Sequence, residues 1–258
     1  MRLRAHPGGH RIARASVITR CKVQAAEAKV NTRMLRAILF DFDGTIAQSE
    51  PLHFAAFAET LAERHVSLPQ ALYYARYLGL TDAECVERML DDFGRRDLRA
   101  DVAALLRRKA EIMARRMADG VPLCPGVAPF IARAAGHAAV AIVSGALRVE
   151  IDRVLEDTGL RPYFRLVLSA ENVGRGKPDP EGYRLACARL RELGVADLDP
   201  RQCLVVEDAP KGIEAARAAG MRVVALPHTC RAEALAAADR VYNSYAEIDW
   251  KDLESLYL

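Results

Sequence analysis

Two aspartates one residue apart, Asp41 and Asp43, stand directly after the apolar run Ile38-Leu39-Phe40, and Gly44-Thr45 then break the pattern. The run predicts a buried strand that ends in acids. Side chains alternate across a strand, so both carboxylates would leave one side unless the chain turns there and one residue offers its carbonyl instead. Acids this close repel each other unless a cation lies between them or one takes a proton. A hard divalent ion such as Mg2+ suits oxygen donors of this kind. Asp-Gly also occurs in hairpin turns, but the strand before it makes a plain surface turn the weaker reading.

Three further groups share this placement. Ser144-Gly145 closes the apolar run Ala138–Val143. Lys177 lies in the loop Gly174-Arg175-Gly176-Lys177-Pro178. Glu207-Asp208 ends the run Cys203–Val206. Singly, each has an ordinary explanation: a turn, a solvated charge, an acidic helix cap. Together they collect four carboxylates, one ammonium and one hydroxyl. The acids can hold a cation and supply a nucleophile, while the lysine and hydroxyl can bind an anion. That combination suits phosphoryl transfer, in which positioning and charge neutralisation do most of the work. A carboxylate can attack phosphorus to form an aspartyl-phosphate, and Thr45 with the backbone amides after it can donate to phosphate oxygens.

The elements that would position these groups alternate. Helical patterns cover about 127–135, 147–158, 180–193 and 213–219. Strand patterns cover 138–143, 166–168, 203–206 and 222–226, and weaker helices follow to the C-terminus. Such alternation predicts a parallel sheet with helices on both faces and ligands at the C-terminal strand ends. Between the first strand and Pro122 the pattern is helical throughout. Ser49 is placed to cap a helix carrying Pro51, and stripes such as Leu105, Leu106, Ala110, Met113 and Met117 follow.

The bulk numbers exclude other classes. The chain has 258 residues, 51% hydrophobic and 28% charged, with net charge +3. That charge is too small to point to nucleic acid or a membrane surface. No apolar run approaches the roughly 20 residues of a membrane helix. Six scattered cysteines without a Cys-x-x-Cys pair suggest reduced thiols in the cytoplasm. Residues 1–33 carry eight Lys or Arg and one acid, Glu27. A disordered basic extension ahead of a working start near Met34 is favoured there over an organellar transit peptide.

The order Asp41-Phe42-Asp43-Gly44-Thr45, Ser144-Gly145, Lys177-Pro178-Asp179-Pro180 and Val205-Val206-Glu207-Asp208 resembles the four motifs of the haloacid dehalogenase-like hydrolases. The resemblance spans about Leu35 to Leu226. The helical insertion is similar to the cap of the phosphoglycolate phosphatase and beta-phosphoglucomutase branch. The fold class implied is α/β: a Rossmann-like parallel-sheet core (34–48 and 122–258) with an inserted all-helical cap (49–121). The resemblance also implies roles. Asp41 is the nucleophile. Asp43 is the general acid/base and gives a carbonyl to Mg2+. Ser144 and Gly145 bind the phosphoryl group with Thr45. Lys177 neutralises charge, and Asp208, with Glu207 nearby, completes the metal site. The implied substrate is a small phosphomonoester, such as a sugar phosphate, handled by a monomer or weak homodimer. Glu50 and His53, at the start of the first cap helix, are candidate substrate contacts. His53 has the spacing from Asp43 seen in sugar-phosphate members of the branch.

One departure bears on the reaction. Where the mutase branch is expected to carry Gly-x-x-Arg, this chain reads Gly79-Leu80-Thr81-Asp82, and an acid there repels a second phosphate. The sequence therefore favours hydrolysis over phosphomutase chemistry, with Arg76 and Arg88 as candidate substitutes for the missing arginine. A dehalogenase needs neither Asp43 nor a metal. A phosphorylatable signalling module is far shorter and lacks a cap. A phosphate-cradling loop at Gly174-x-Gly176-Lys177 has the wrong spacing, and a sugar-phosphate binder without catalysis has little use for both Asp41 and Asp43.

Overall fold

The computed structural model describes residues 34–258, so the expectations for residues 1–33 lie outside it. Six strands, β1 (Ala37–Phe40), β2 (Ala139–Val143), β3 (Leu166–Leu168), β4 (Cys203–Glu207), β5 (Arg222–Ala225) and β6 (Arg240–Val241), form one sheet in the order β3-β2-β1-β4-β5-β6. Every neighbouring pair is parallel. β1 lies between β2 and β4, with Phe40 opposite both Ile142 and Val206. Both of its faces are covered. Ile38 and Phe40 enter one apolar cluster, Ala37 and Leu39 the other. This double burial explains why β1 reads as a continuous apolar run rather than an alternating one.

The first cluster takes residues from α5 (Val127–Ala135), α6 (Arg148–Thr158) and the C-terminal α9 (Trp250–Ser255). The second takes them from α7 (Glu181–Glu192) and α8 (Pro210–Ala218). The helical insertion comprises α1 (Glu50–Ala62), α2 (Gln70–Arg76), α3 (Asp82–Asp92) and α4 (Val102–Arg116). It gathers a core of its own around Phe57, Leu61, Tyr73, Tyr77, Met89 and Leu105. A capping box starts α3: the Thr81 hydroxyl accepts from the Glu84 amide, and the Glu84 carboxylate accepts from the Thr81 amide at 2.9 Å. The two connections to the insertion run side by side. The Gln48 amide donates to the Pro122 carbonyl at 2.8 Å, and the Cys124 amide to the Ile46 carbonyl at 2.8 Å. Ile112, Met113 and Met117 of α4 join the first core cluster, so α4 binds the insertion to the sheet layer. No described helix is long and apolar enough to cross a membrane.

Three expectations are corrected. α8 begins at Pro210 rather than near Ile213, because a proline at the first helical turn has its φ preset and needs no amide partner. The C-terminal region holds β6 as well as a helix. At two residues, that strand is too short to show alternation. Ser49 occupies the N-terminal position of α1, but its hydroxyl makes no cap bond and donates to Asp43 instead. Beyond β6, buried Tyr245 donates its hydroxyl to the Thr45 carbonyl at 2.9 Å and packs its ring on Phe130.

Candidate active site

Because β1 and β4 are neighbours in register, with Phe40 beside Val206, the acids at and just past their ends meet. Asp41, Glu207 and Asp208 are buried and each offers an oxygen within 4.8 Å of the others. Lys177 reaches them from the loop before α7. Its ammonium donates to Asp41 Oδ1 and, at 2.6 Å, to Glu207 Oε1. Desolvation pushes the Asp41 carboxyl well above its ordinary range; Lys177 opposes this, while Glu207 and Asp43 reinforce it. Asp208 is raised likewise, by burial first and then by the Asp41 and Glu207 charges. Burial alone would lower the Lys177 ammonium, but Asp41 and Glu207 outweigh it and hold the group charged.

Glu207 is fully occupied. Oε1 also accepts from the Tyr183 hydroxyl at 2.8 Å, and Oε2 accepts from the amides of Asp208 and Ala209 at 3.2 and 3.3 Å. Its geometry is that of a brace for Lys177. Asp208 is held from two sides by the hydroxyls of Thr45, at 3.3 Å, and Thr229. Two glycines leave room for these acids. A Cβ on Gly44, whose φ is +74°, would fall 2.0 Å from Asp208 Oδ2, and one on Gly212 would fall 1.7 Å from Glu207 Oε1. Three buried carboxylates against one ammonium leave net negative charge among hard oxygen donors, so the residues present fit a divalent cation such as Mg2+.

The Asp43 side chain lies outside that triad. It accepts from Ser49 and sits 3.3 Å from His53 Nε2. Burial would raise its pKa, but His53 and Ser49 pull it below the usual carboxylate value. His53 Nδ1 in turn lies 2.9 Å from the fully buried ammonium of Lys109, which also bonds Asp82 Oδ2 at 2.7 Å and reaches Glu150 of α6 at 3.5 Å. Two influences on this imidazole conflict. Burial and Lys109 oppose its charging, yet Asp43 carries its pKa up to about 9. The contact geometry decides the tautomer. With Lys109 donating to Nδ1, the single ring proton sits on Nε2 facing Asp43, since a second would set two cations in contact. Glu50 accepts from the Tyr73 hydroxyl at 3.2 Å, and desolvation lifts its carboxyl to about 7.

Asp41, Asp43, Glu50, His53, Gly145, Lys177, Glu207 and Asp208 all line one cavity of about 60 Å3 between the sheet and the helical insertion. Two expected phosphate contacts stand apart from it. The Thr45 side chain is fully buried and spent on Asp208. Ser144 lines an adjoining recess with Gly145 and Lys177, its hydroxyl oxygen accepting from the Ala146 amide at 3.0 Å. Neither Arg76 nor Arg88 lines the cavity. Arg76 pairs with Asp92 at 2.9 Å, and Asp82 takes the wall where an arginine was sought.

A family model for haloacid dehalogenase-like hydrolases matches residues 35–220. The chain is a haloacid dehalogenase-like hydrolase. Within that family it is 36% identical over 223 residues to protein CbbY of Cereibacter sphaeroides, covering 83% of this chain and 94% of that one. It is 33% identical over 187 residues to the fructose-1-phosphate phosphatase YqaB of Escherichia coli strain K12, covering 72% and 94%. A crystal structure of a CbbY variant from Rhodobacter sphaeroides in complex with xylulose 1,5-bisphosphate matches with a TM-score of 0.71 and 32% identity, over 83% of this chain and 96% of that one. This hydrolase is accordingly a phosphoric monoester hydrolase, and its fold is shared with a beta-phosphoglucomutase of Clostridium difficile, at a TM-score of 0.75 and 21% identity over 87% of this chain and 97% of that one.

Sequence reasoning missed Tyr183, Thr229, Lys109 and the pairing of Asp82. For Lys109 a signal existed: Leu105, Lys109, Ile112 and Met113 share one helical face, so the lysine interrupts an apolar stripe. For Tyr183 and Thr229 no spacing betrays the contact.

Proposed function

We propose that this hydrolase cleaves a small sugar phosphomonoester through an aspartyl-phosphate on Asp41, with Mg2+ bound beside it. The observation that carries the reading is the convergence of the Asp41 carboxylate with Lys177 and Asp208 at adjacent strand ends. Asp41 Oδ attacks phosphorus while the ester P–O bond breaks, and Asp43, ionised in the free site, takes up a proton as the anionic ester enters beside it and gives that proton to the departing alkoxide. A water then attacks the phosphoryl-enzyme, Asp43 takes the water's proton, and inorganic phosphate leaves with Asp41 restored. Lys177 and Gly145 hold the phosphoryl oxygens, with the Ser144 hydroxyl proton free to reach them from the adjoining recess, and Glu207 keeps Lys177 aimed at them. Asp41, Asp208 and the Asp43 carbonyl would hold the cation, which supplies neutralisation for the anion-on-anion attack. His53, coupled to Lys109, positions Asp43, and Glu50 meets the sugar hydroxyls. Closure of the helical cap excludes water.

The site's fit to a sugar ester is supported by the fructose-1-phosphate phosphatase among the relatives. The test is Asp41→Asn assayed with an aryl phosphate in Mg2+: turnover should vanish with the fold intact by circular dichroism. Undiminished turnover would rule out the covalent route.

A further inference from the structure

The cavity is charged very unevenly. Its phosphoryl end holds Lys177. From the insertion come Glu50, His53, Phe57, Tyr73, the Leu78–Asp82 turn and Cys85, and no arginine or lysine is among the described residues that line that side. Two lysines beside that side are committed elsewhere. Lys109 is completely buried behind the wall, held by Asp82 and Glu150. Lys211 donates to the Leu78 carbonyl at 3.2 Å outside the cavity lining. Asp82 and Glu50 thus present carboxyl groups to whatever the phosphoryl donor carries at its far end.

We propose that this wall is a charge filter: the site accepts phosphomonoesters whose leaving group is an uncharged polyol or sugar, and rejects those bearing a second phosphate, with Asp82 as the determining residue. The inference rests on the phosphatase reading and narrows its substrate class. A terminal phosphate entering the wall would bring a dianion against the partly buried Asp82 carboxylate and the buried Glu50 carboxyl, with no lysine or arginine to receive it and both ring nitrogens of His53 already facing Asp43 and Lys109, and an anion desolvated without a partner is strongly disfavoured. Hydroxyl groups meet the same wall on good terms, since the Asp82 carboxylate accepts and a protonated Glu50, which accepts from Tyr73 on one oxygen, donates from the other. The CbbY variant of Rhodobacter sphaeroides, by contrast, holds xylulose 1,5-bisphosphate in its crystal structure.

The test compares kcat/KM for matched pairs, fructose 1-phosphate against fructose 1,6-bisphosphate and xylulose 5-phosphate against xylulose 1,5-bisphosphate, with an aryl phosphate as reference. The monophosphates should be favoured at least tenfold. Asp82→Asn should raise the bisphosphate value relative to the monophosphate by about tenfold. A merely structural role for Asp82 would lower both together and leave their ratio fixed. Bisphosphates hydrolysed as well as or better than monophosphates, or a ratio unmoved by Asp82→Asn, overturn the filter while leaving the phosphatase reading standing. Absence of aryl phosphate turnover overturns that reading itself, and the filter with it.

Discussion

Replacing Lys109 with methionine tests the energetic centre of the insertion. The ammonium is fully buried and touches Asp82, Glu150 and His53 at 2.7, 3.5 and 2.9 Å. Methionine preserves most of the volume, so the packing loss is small. The two carboxylates remain, with side-chain exposures of 18% and 6%, and lose their counter-charge. Removing one partner of a buried pair costs about 3–5 kcal/mol. In a chain of this size each kcal/mol lowers the midpoint by about 2–4 °C, so a fall on the order of 10 °C is expected. The assay is urea unfolding of Lys109→Met with thermal melting alongside. Lys109→Met combined with Asp82→Asn should recover at least about 1 kcal/mol, as coupled neighbours do. A loss below about 1 kcal/mol for Lys109→Met, with an unchanged m-value, would refute the idea that this ammonium neutralises buried charge.

Other outcomes follow from the same contacts. The Glu50 carboxyl is raised from 4.5 to about 7, so the folded state favours its protonated form. Stability tied to that proton is full below pH 4.5 and lost as pH rises through 7. Glu50→Gln should therefore melt higher than wild type at pH 8, by up to about 3 kcal/mol, and match it near pH 4; equal melting at pH 8 would contradict the burial argument. Tyr183→Phe removes one hydrogen bond to Glu207 and should cost about 1 kcal/mol in denaturant while lowering kcat more than it alters KM. Gly212→Ala forces a methyl into Glu207 and should abolish turnover of aryl phosphate, whereas Gly194→Ala, where nothing lies within 4 Å but φ is +93°, should cost about 1–2 kcal/mol of stability yet leave kcat within twofold. Chelation of divalent ions should stop phosphate release, and Mg2+ should restore it.

The sheet was legible in the sequence because its strands are buried on both faces and read as uninterrupted apolar runs. β1 and β4 also announced the acids at their ends. β6 was not legible: two residues carry no period. The start of α8 was misplaced because apolar spacing marks the buried face of a helix, whereas Pro210 sets where it begins. Side-chain partners were the least readable. Thr45 and Ser49 were placed correctly along the chain, yet their hydroxyls serve Asp208 and Asp43, a choice made by residues far away in sequence. The same holds for Asp82, whose sign was visible but whose counter-ion lies 27 positions downstream.

The bond from the Tyr245 hydroxyl to the Thr45 carbonyl spans 200 positions and joins the C-terminal region to the turn that follows Asp41, the proposed nucleophile. The tail is therefore not a dispensable trailer. Shortening the protein just ahead of Tyr245 would unmoor that turn and bare the Phe130 ring beneath it. Catalytic competence should then arrive only after Tyr245 has been made, so a chain cut short ahead of it would be silent towards an aryl phosphate.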